Sequence, residues 1–113
     1  MNGQDDSSAR AALETSRAAE RRTAPARAEL TVIVVSYNTR DLTLKCLETL
    51  YATTKRTVFH AVVLDNASAD GSADAIAAAF PQVELIRSTE NLGFAKANNI
   101  VAAQVATEWL LLL

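Results

Sequence analysis

LTVIVVSYNTRD, residues 30–41, is the stretch from which the fold is read. Residues 30–36 are aliphatic and mostly β-branched, without polar alternation, which predicts a central parallel strand buried on both faces. The run breaks at Tyr37, Asn38 and Thr39, and Asp41 falls in the first turn of a predicted helix. Its apolar positions Leu44, Leu47 and Tyr51, flanked by Cys46 and Leu50, recur at helical spacing. A buried strand feeding an amphipathic helix is the opening of a βαβ unit.

The same alternation continues outward. Residues 58–64 (VFHAVVL) predict a second strand that delivers Asp65 to its carboxyl end, and residues 72–80 an alanine-rich helix stopped by Pro81. Residues 83–86 predict a short strand. Residues 93–106 predict a helix with Phe94, Ala97, Val101 and Val105 along one side, and residues 109–113 the start of a fourth strand. Strand and helix in turn, with short links, predict an α/β fold with a parallel sheet and right-handed crossovers. In such sheets ligands sit beyond the carboxyl ends of the strands. The polar clusters at residues 36–38, 65–71 and 90–93 fall there, and Gly71 and Gly93 each precede a predicted helix.

Residues 1–29 are different material. They hold one leucine, no aromatic and no β-branched aliphatic residue, and their arginines and acids balance, so they are expected to be a mobile, solvated tail ahead of a domain at residues 30–113. No apolar run of the roughly 7 residues a signal peptide needs precedes Leu30.

The whole chain has 113 residues, 50% of them hydrophobic, and a net charge of -2. That charge gives no general attraction to nucleic acid or an anionic membrane. A single cysteine excludes an internal disulfide and fits a reducing compartment. The terminal WLLLL is five residues, far below the roughly 20 needed to span a bilayer. The first loop, SYNTRD, has no glycine and so does not suit the G-x-G-x-x-G dinucleotide fingerprint. A phosphate-cradling G-x-x-x-x-G-K-[ST] loop and a G-x-S-x-G nucleophile elbow are absent too. The lone histidine, His60, falls in mid-strand and takes no functional role.

Three stretches in order, VIVVSYNTRDLTLKCLETL, VVLDNASADGSADAI and STENLGFAKANNIVA, resemble the amino-terminal half of a family 2 glycosyltransferase, nearest to its rhamnosyltransferase-like branch. The resemblance spans residues 30–113. It implies a GT-A fold with sheet order beginning 3-2-1-4, and inverting transfer of a sugar from a nucleotide-diphosphate donor, expected to be a UDP- or dTDP-sugar. It further implies a cytoplasmic protein, peripheral at the inner face of the membrane, that builds cell-surface polysaccharide.

Carried over by position, Val35, Ser36, Tyr37 and Asn38 match the wall that holds base and ribose. Asp65 matches the acid that accepts a hydrogen bond from the base. An ionised carboxylate is acceptor-only, which suits a uracil or thymine imide N–H; a turn or capping aspartate is the competing reading. Asn66, Ser68, Asp70 and Gly71 match the D-N-x-S-x-D-G-S turn. These residue types also build turns with no ligand, and Ser72 is a candidate helix cap. Asn91, Gly93, Phe94, Asn98 and Asn99 match the N-x-G-F-x-x-x-N-N stretch beside the nucleotide. Paired asparagines within a helix compete for backbone hydrogen bonds, so a ligand or tertiary partner is expected for at least one. Phe94 is expected in the core, Lys96 as an exposed helical lysine, and Cys46 as a small buried hydrophobe.

In the family, a carboxylate motif that holds Mg or Mn follows the fourth strand, and a catalytic Asp or Glu lies beyond it. Neither is found in residues 1–113, so no catalytic or metal residue is assigned and the chain alone is expected to be an inactive, poorly soluble part of a domain. A non-catalytic nucleotide-binding or protein-interaction module is the alternative.

Overall fold

The computed structural model describes residues 28–113; residues 1–27 of the expected tail lie outside them. Four strands, β1 (Leu30–Ser36), β2 (Phe59–Asp65), β3 (Glu84–Arg87) and β4 (Trp109–Leu112), alternate with α1 (Arg40–Thr53), α2 (Ser72–Ala79) and α3 (Phe94–Ala102). All neighbours pair in parallel in the order β3-β2-β1-β4. The α/β Rossmann-like sheet and its strand order are as expected.

Right-handed crossovers dictate where the helices lie. The chain moves from β1 through β2 to β3 in one direction, so α1 and α2 share a face. It then doubles back to β4, which places α3 on the other. The strands divide their residues between the two layers by simple alternation. Ile33, Val62, Leu64 and Ile86 pack with Ala97, Ile100 and Val101 of α3. Val32, Val34, Ala61, Val63 and Leu85 pack with Leu47 of α1 and Ile76 of α2. β1 and β2 are thus buried on both sides, which explains their unbroken aliphatic runs. At the edge of the α1–α2 layer Tyr51 lies against Phe59 and Phe80, with ring centroids 5.1 and 5.8 Å apart. Burial there pushes the Tyr51 hydroxyl pKa up.

The amino ends of the strands hold a polar cluster on the α3 side. His60 Nε2 lies 2.9 Å from Glu84 Oε1, both side chains being buried, and the Thr31 and Thr107 hydroxyls are 2.7 Å apart. His60 therefore serves the sheet, at the end opposite the polar loops.

Three expectations change in detail. Helix α3 ends at Ala102, because Gln104 N–H and Val105 N–H donate to the carbonyls three residues back and tighten the chain into a turn. Phe94 is 63% exposed: as the first residue of α3, it projects beyond the sheet instead of onto it. Cys46 is only half-buried, in an apolar groove with Leu42, Leu50 and Leu113. At the sheet edge the large side chains of β4 are all exposed.

Candidate functional site

The strand register brings the polar loops together. Ser36, the last residue of β1, pairs with Asp65, the last of β2, which pairs in turn with Arg87 of β3. Loops 37–39, 66–71 and 88–93 therefore leave the sheet at one level, beyond its carboxyl edge. Two non-glycine residues with positive φ stand in the first two of them, Asn38 at 51° and Ala67 at 65°. An L-residue there costs about 1–2 kcal/mol, less for asparagine, so its surroundings must hold it.

Loop-to-loop hydrogen bonds do so. Asn38 N–H donates to Ser68 Oγ at 2.9 Å, and Asn38 Oδ1 accepts from Ala69 N–H at 2.8 Å. Ser68 N–H donates to Asp65 Oδ2 at 3.0 Å. Arg40 N–H, in the first turn of α1, donates to Asp70 Oδ2 at 3.0 Å, while Asp70 Oδ1 accepts from both the N–H and the hydroxyl of Ser72. One carboxylate thus caps two helices, in place of the expected Ser72 cap. The Ser72 hydroxyl bond above all, with the Ser72 and Arg40 amides, holds the Asp70 pKa below its ordinary value.

A depressed folded-state pKa means that Asp70 stabilises the fold above the ordinary aspartate pKa of about 3.9 and loses that contribution as pH falls through the folded value. Asp70→Asn is accordingly expected to lower Tm at pH 7 and to differ less from wild type at pH 3, by circular dichroism melting.

The remaining site residues divide by what they touch. Ser36 is fully buried, its hydroxyl 3.1 Å from that of Thr43 and 3.3 Å from that of Thr39, beneath the start of α1. Asn66 is also buried. Its Oδ1 accepts from Leu92 N–H at 2.7 Å and its amide reaches Gly93 O, tying the second loop to the third. Asn91 Oδ1 accepts from Gly93 N–H at 2.9 Å, closing a turn in which Gly93 takes φ 81° and ψ 160°, a conformation confined to glycine. Asn98 Nδ2 donates to Phe94 O one helical turn back, so its partner is local and not tertiary. Tyr37, Asn38, Asn91 and Asn99 are exposed, and Val35 is half-buried against the α3 layer. Sequence spacing gave no signal for the roles of Ala67 or Thr43, since neither residue type marks the conformation or contact it adopts here.

Asp65 stands apart. It is 3% exposed, Oδ2 is held by Ser68 N–H, and Oδ1 is buried without a hydrogen-bond partner. Among the described residues no three or more His, Cys, Asp or Glu side chains come together as a metal site. The Asp70 oxygens are occupied by Arg40 and Ser72, so these residues do not fit a divalent cation.

Comparison with known proteins agrees with this fold. The model of the family described as glycosyl transferase family 2 matches residues 31–113. Among solved structures, the mannosyltransferase PcManGT from Pyrobaculum calidifontis, in complex with GDP-Man and Mn2+, superposes with a TM-score of 0.61 at 26% identity, over 89% of this chain and 34% of that one. The chain thus spans about a third of that enzyme's length. No curated protein sequence matches.

Proposed function

The chain belongs to glycosyl transferase family 2, and from that membership we propose that residues 30–113 form the nucleotide-recognising part of an inverting sugar transferase, with Asp65 as the acceptor for the base. The observation that carries this reading is the buried, unpartnered Oδ1 of Asp65 at the carboxyl edge of the sheet. A buried polar atom left unpaired costs about 1–3 kcal/mol, more for a charged group, and a base N–H would relieve that cost. Because Asp65 is so little exposed, the base must displace some of the atoms that cover it.

The free oxygen also bears on which base. Uracil and thymine present one imide N–H, which one oxygen satisfies. Guanine presents a ring N–H beside an amino group, an edge that suits both oxygens of a carboxylate. With Oδ2 already engaged by Ser68, Asp65 favours a UDP- or dTDP-sugar, a donor class that suits the rhamnosyltransferase-like branch. The mannosyltransferase carries GDP-Man, so the two sites would differ in base. Tyr37 and Asn38 flank the base from the first loop, and Asn91 and Gly93 of the third loop line the approach with Asn99 of α3.

In the transfer itself the acceptor oxygen attacks the anomeric carbon, the bond to the diphosphate oxygen breaks, and a general base takes the acceptor's proton. The family resemblance assigns that base and a divalent cation to parts of the domain other than the described residues. Action at the cytoplasmic face of the membrane, on cell-surface polysaccharide, completes the reading; no helix among the described residues is long and apolar enough to cross a membrane.

Calorimetric titration of the 113-residue chain tests it. UDP or dTDP is expected to bind at least about tenfold more tightly than GDP, a difference of about 1.4 kcal/mol, with no sugar transfer by the chain alone. Binding of NAD in place of these nucleotides would overturn the proposal.

A further inference from the structure

Ser68 lies at the crossing of the two strained loops and bonds to a residue on each side. Its main-chain N–H holds Oδ2 of Asp65, 3.0 Å away, and its hydroxyl accepts from the main chain of Asn38, 2.9 Å away and 30 residues back in sequence. Asn38 and Ala67 are the only non-glycine residues with positive φ among the described residues; Asn38 is the partner of the hydroxyl bond, and Ala67 is the residue that precedes Ser68 in the chain.

We propose that Ser68 is the positioning residue of the base site, fixing the Asp65 carboxylate with Oδ1 free and locking the first loop to the second so that both move as one unit. The inference rests on the nucleotide reading above. Its physical basis is the division of labour at Asp65. A carboxylate with both oxygens loose rotates between rotamers and presents either oxygen to a ligand. One oxygen pinned by a main-chain donor leaves a single acceptor with a set direction, and that direction is only as firm as the loop that carries the donor. The loop is in turn held through the Ser68 hydroxyl to Asn38 and through Asn38 Oδ1 to Ala69 N–H. Removal of the hydroxyl leaves the Asn38 N–H without its acceptor and the positive φ of Asn38 supported from one side only. Threonine keeps an oxygen at the same position and is the conservative replacement.

The experiment uses the full 113-residue chain and has one readout that needs no ligand. In Ser68→Ala the amide of Asn38 is expected to exchange with solvent at least about tenfold faster, by NMR, while amides of Val34 and Val63 in the sheet keep wild-type protection. UDP and dTDP binding is expected to weaken about five- to tenfold, and Ser68→Thr is expected to restore most of both. Unchanged exchange at Asn38 overturns the loop contact whatever the nucleotide result. Faster exchange with undiminished binding overturns the positioning role. A wild-type chain that binds none of UDP, dTDP and GDP overturns the nucleotide reading and the positioning role with it, while the exchange data still decide the contact. Should Ser68→Ala unfold, Ser68→Cys, which keeps the size of the side chain but replaces the hydroxyl oxygen with a weak acceptor, is read by the same exchange measurement and titration and is expected to show the same two losses.

Discussion

Asp65→Asn is expected to weaken UDP and dTDP binding about 10- to 100-fold without lowering Tm. The amide oxygen of the new side chain takes over the bond from Ser68 N–H, which Oδ2 accepts in the wild type. That leaves the NH2 group where Oδ1 stood, a donor facing the imide donor of the base. A hydrogen bond to a charged group is worth about 1.5–3 kcal/mol, and its loss gives the fold-change above at about 1.4 kcal/mol per decade. The stability half of the expectation has the opposite sign. Burying a carboxylate oxygen with no partner opposes folding of the free protein, and a neutral amide is easier to bury. Titration calorimetry and thermal melting of one variant therefore separate recognition from folding: a parallel fall of affinity and Tm would instead mark Asp65 as a turn residue.

Leu47→Ala is expected to have the largest effect on the fold. Leu47 is fully buried where α1 meets the sheet, packed with Val32, Val34 and Ile76, and leucine-to-alanine changes at such sites cost about 2–5 kcal/mol. In a domain of this size each kcal/mol moves Tm by about 4–8 °C, so the fall is expected to be at least about 8 °C. Leu42, on the same helix, is 70% exposed, and Leu42→Ala is expected to change stability by no more than about 0.5 kcal/mol. A comparable loss in both variants would contradict the packing described.

The architecture was legible wherever one physical cause dominated. The aliphatic runs of β1 and β2 have no other use than a doubly covered strand, and the stripe through Leu44, Leu47 and Tyr51 has only one way to meet it. Boundaries were less legible where causes competed. The apolar spacing continues through Val105, which does pack against the α3 layer, yet the helix has ended by then and Thr107 has turned the chain toward β4 through its contacts with Thr31 and the Trp109 carbonyl. Phe94 shows the same limit, since a phenylalanine at a helix start carries no mark of which way it faces.

At the site, residue types revealed where polar groups gather but not what occupies them. Asp70 and Asn66 match the family's motif, and their polar atoms are engaged by Arg40, Ser72, Leu92 and Gly93. Of those partners, Arg40, Leu92 and Gly93 lie 26 to 30 residues away in sequence, beyond the reach of any spacing rule. The one buried carboxylate oxygen without a partner among the described residues, on Asp65, can be found only after every other bond has been assigned.

The unequal lengths of strand pairing have a consequence in time. β1 and β2 share seven paired residues in the middle of the sheet, while β3 and β4 are each held to it by four. Amides of the central pair are expected to be the slowest to exchange and those of β4 among the first to open. Asp65 ends one strand of that central pair and Ser36 the other. Loops 37–39 and 66–71 thus grow from the strands expected to exchange slowest, and fluctuations at the outer strands can run their course while the geometry around Asp65 stays in place.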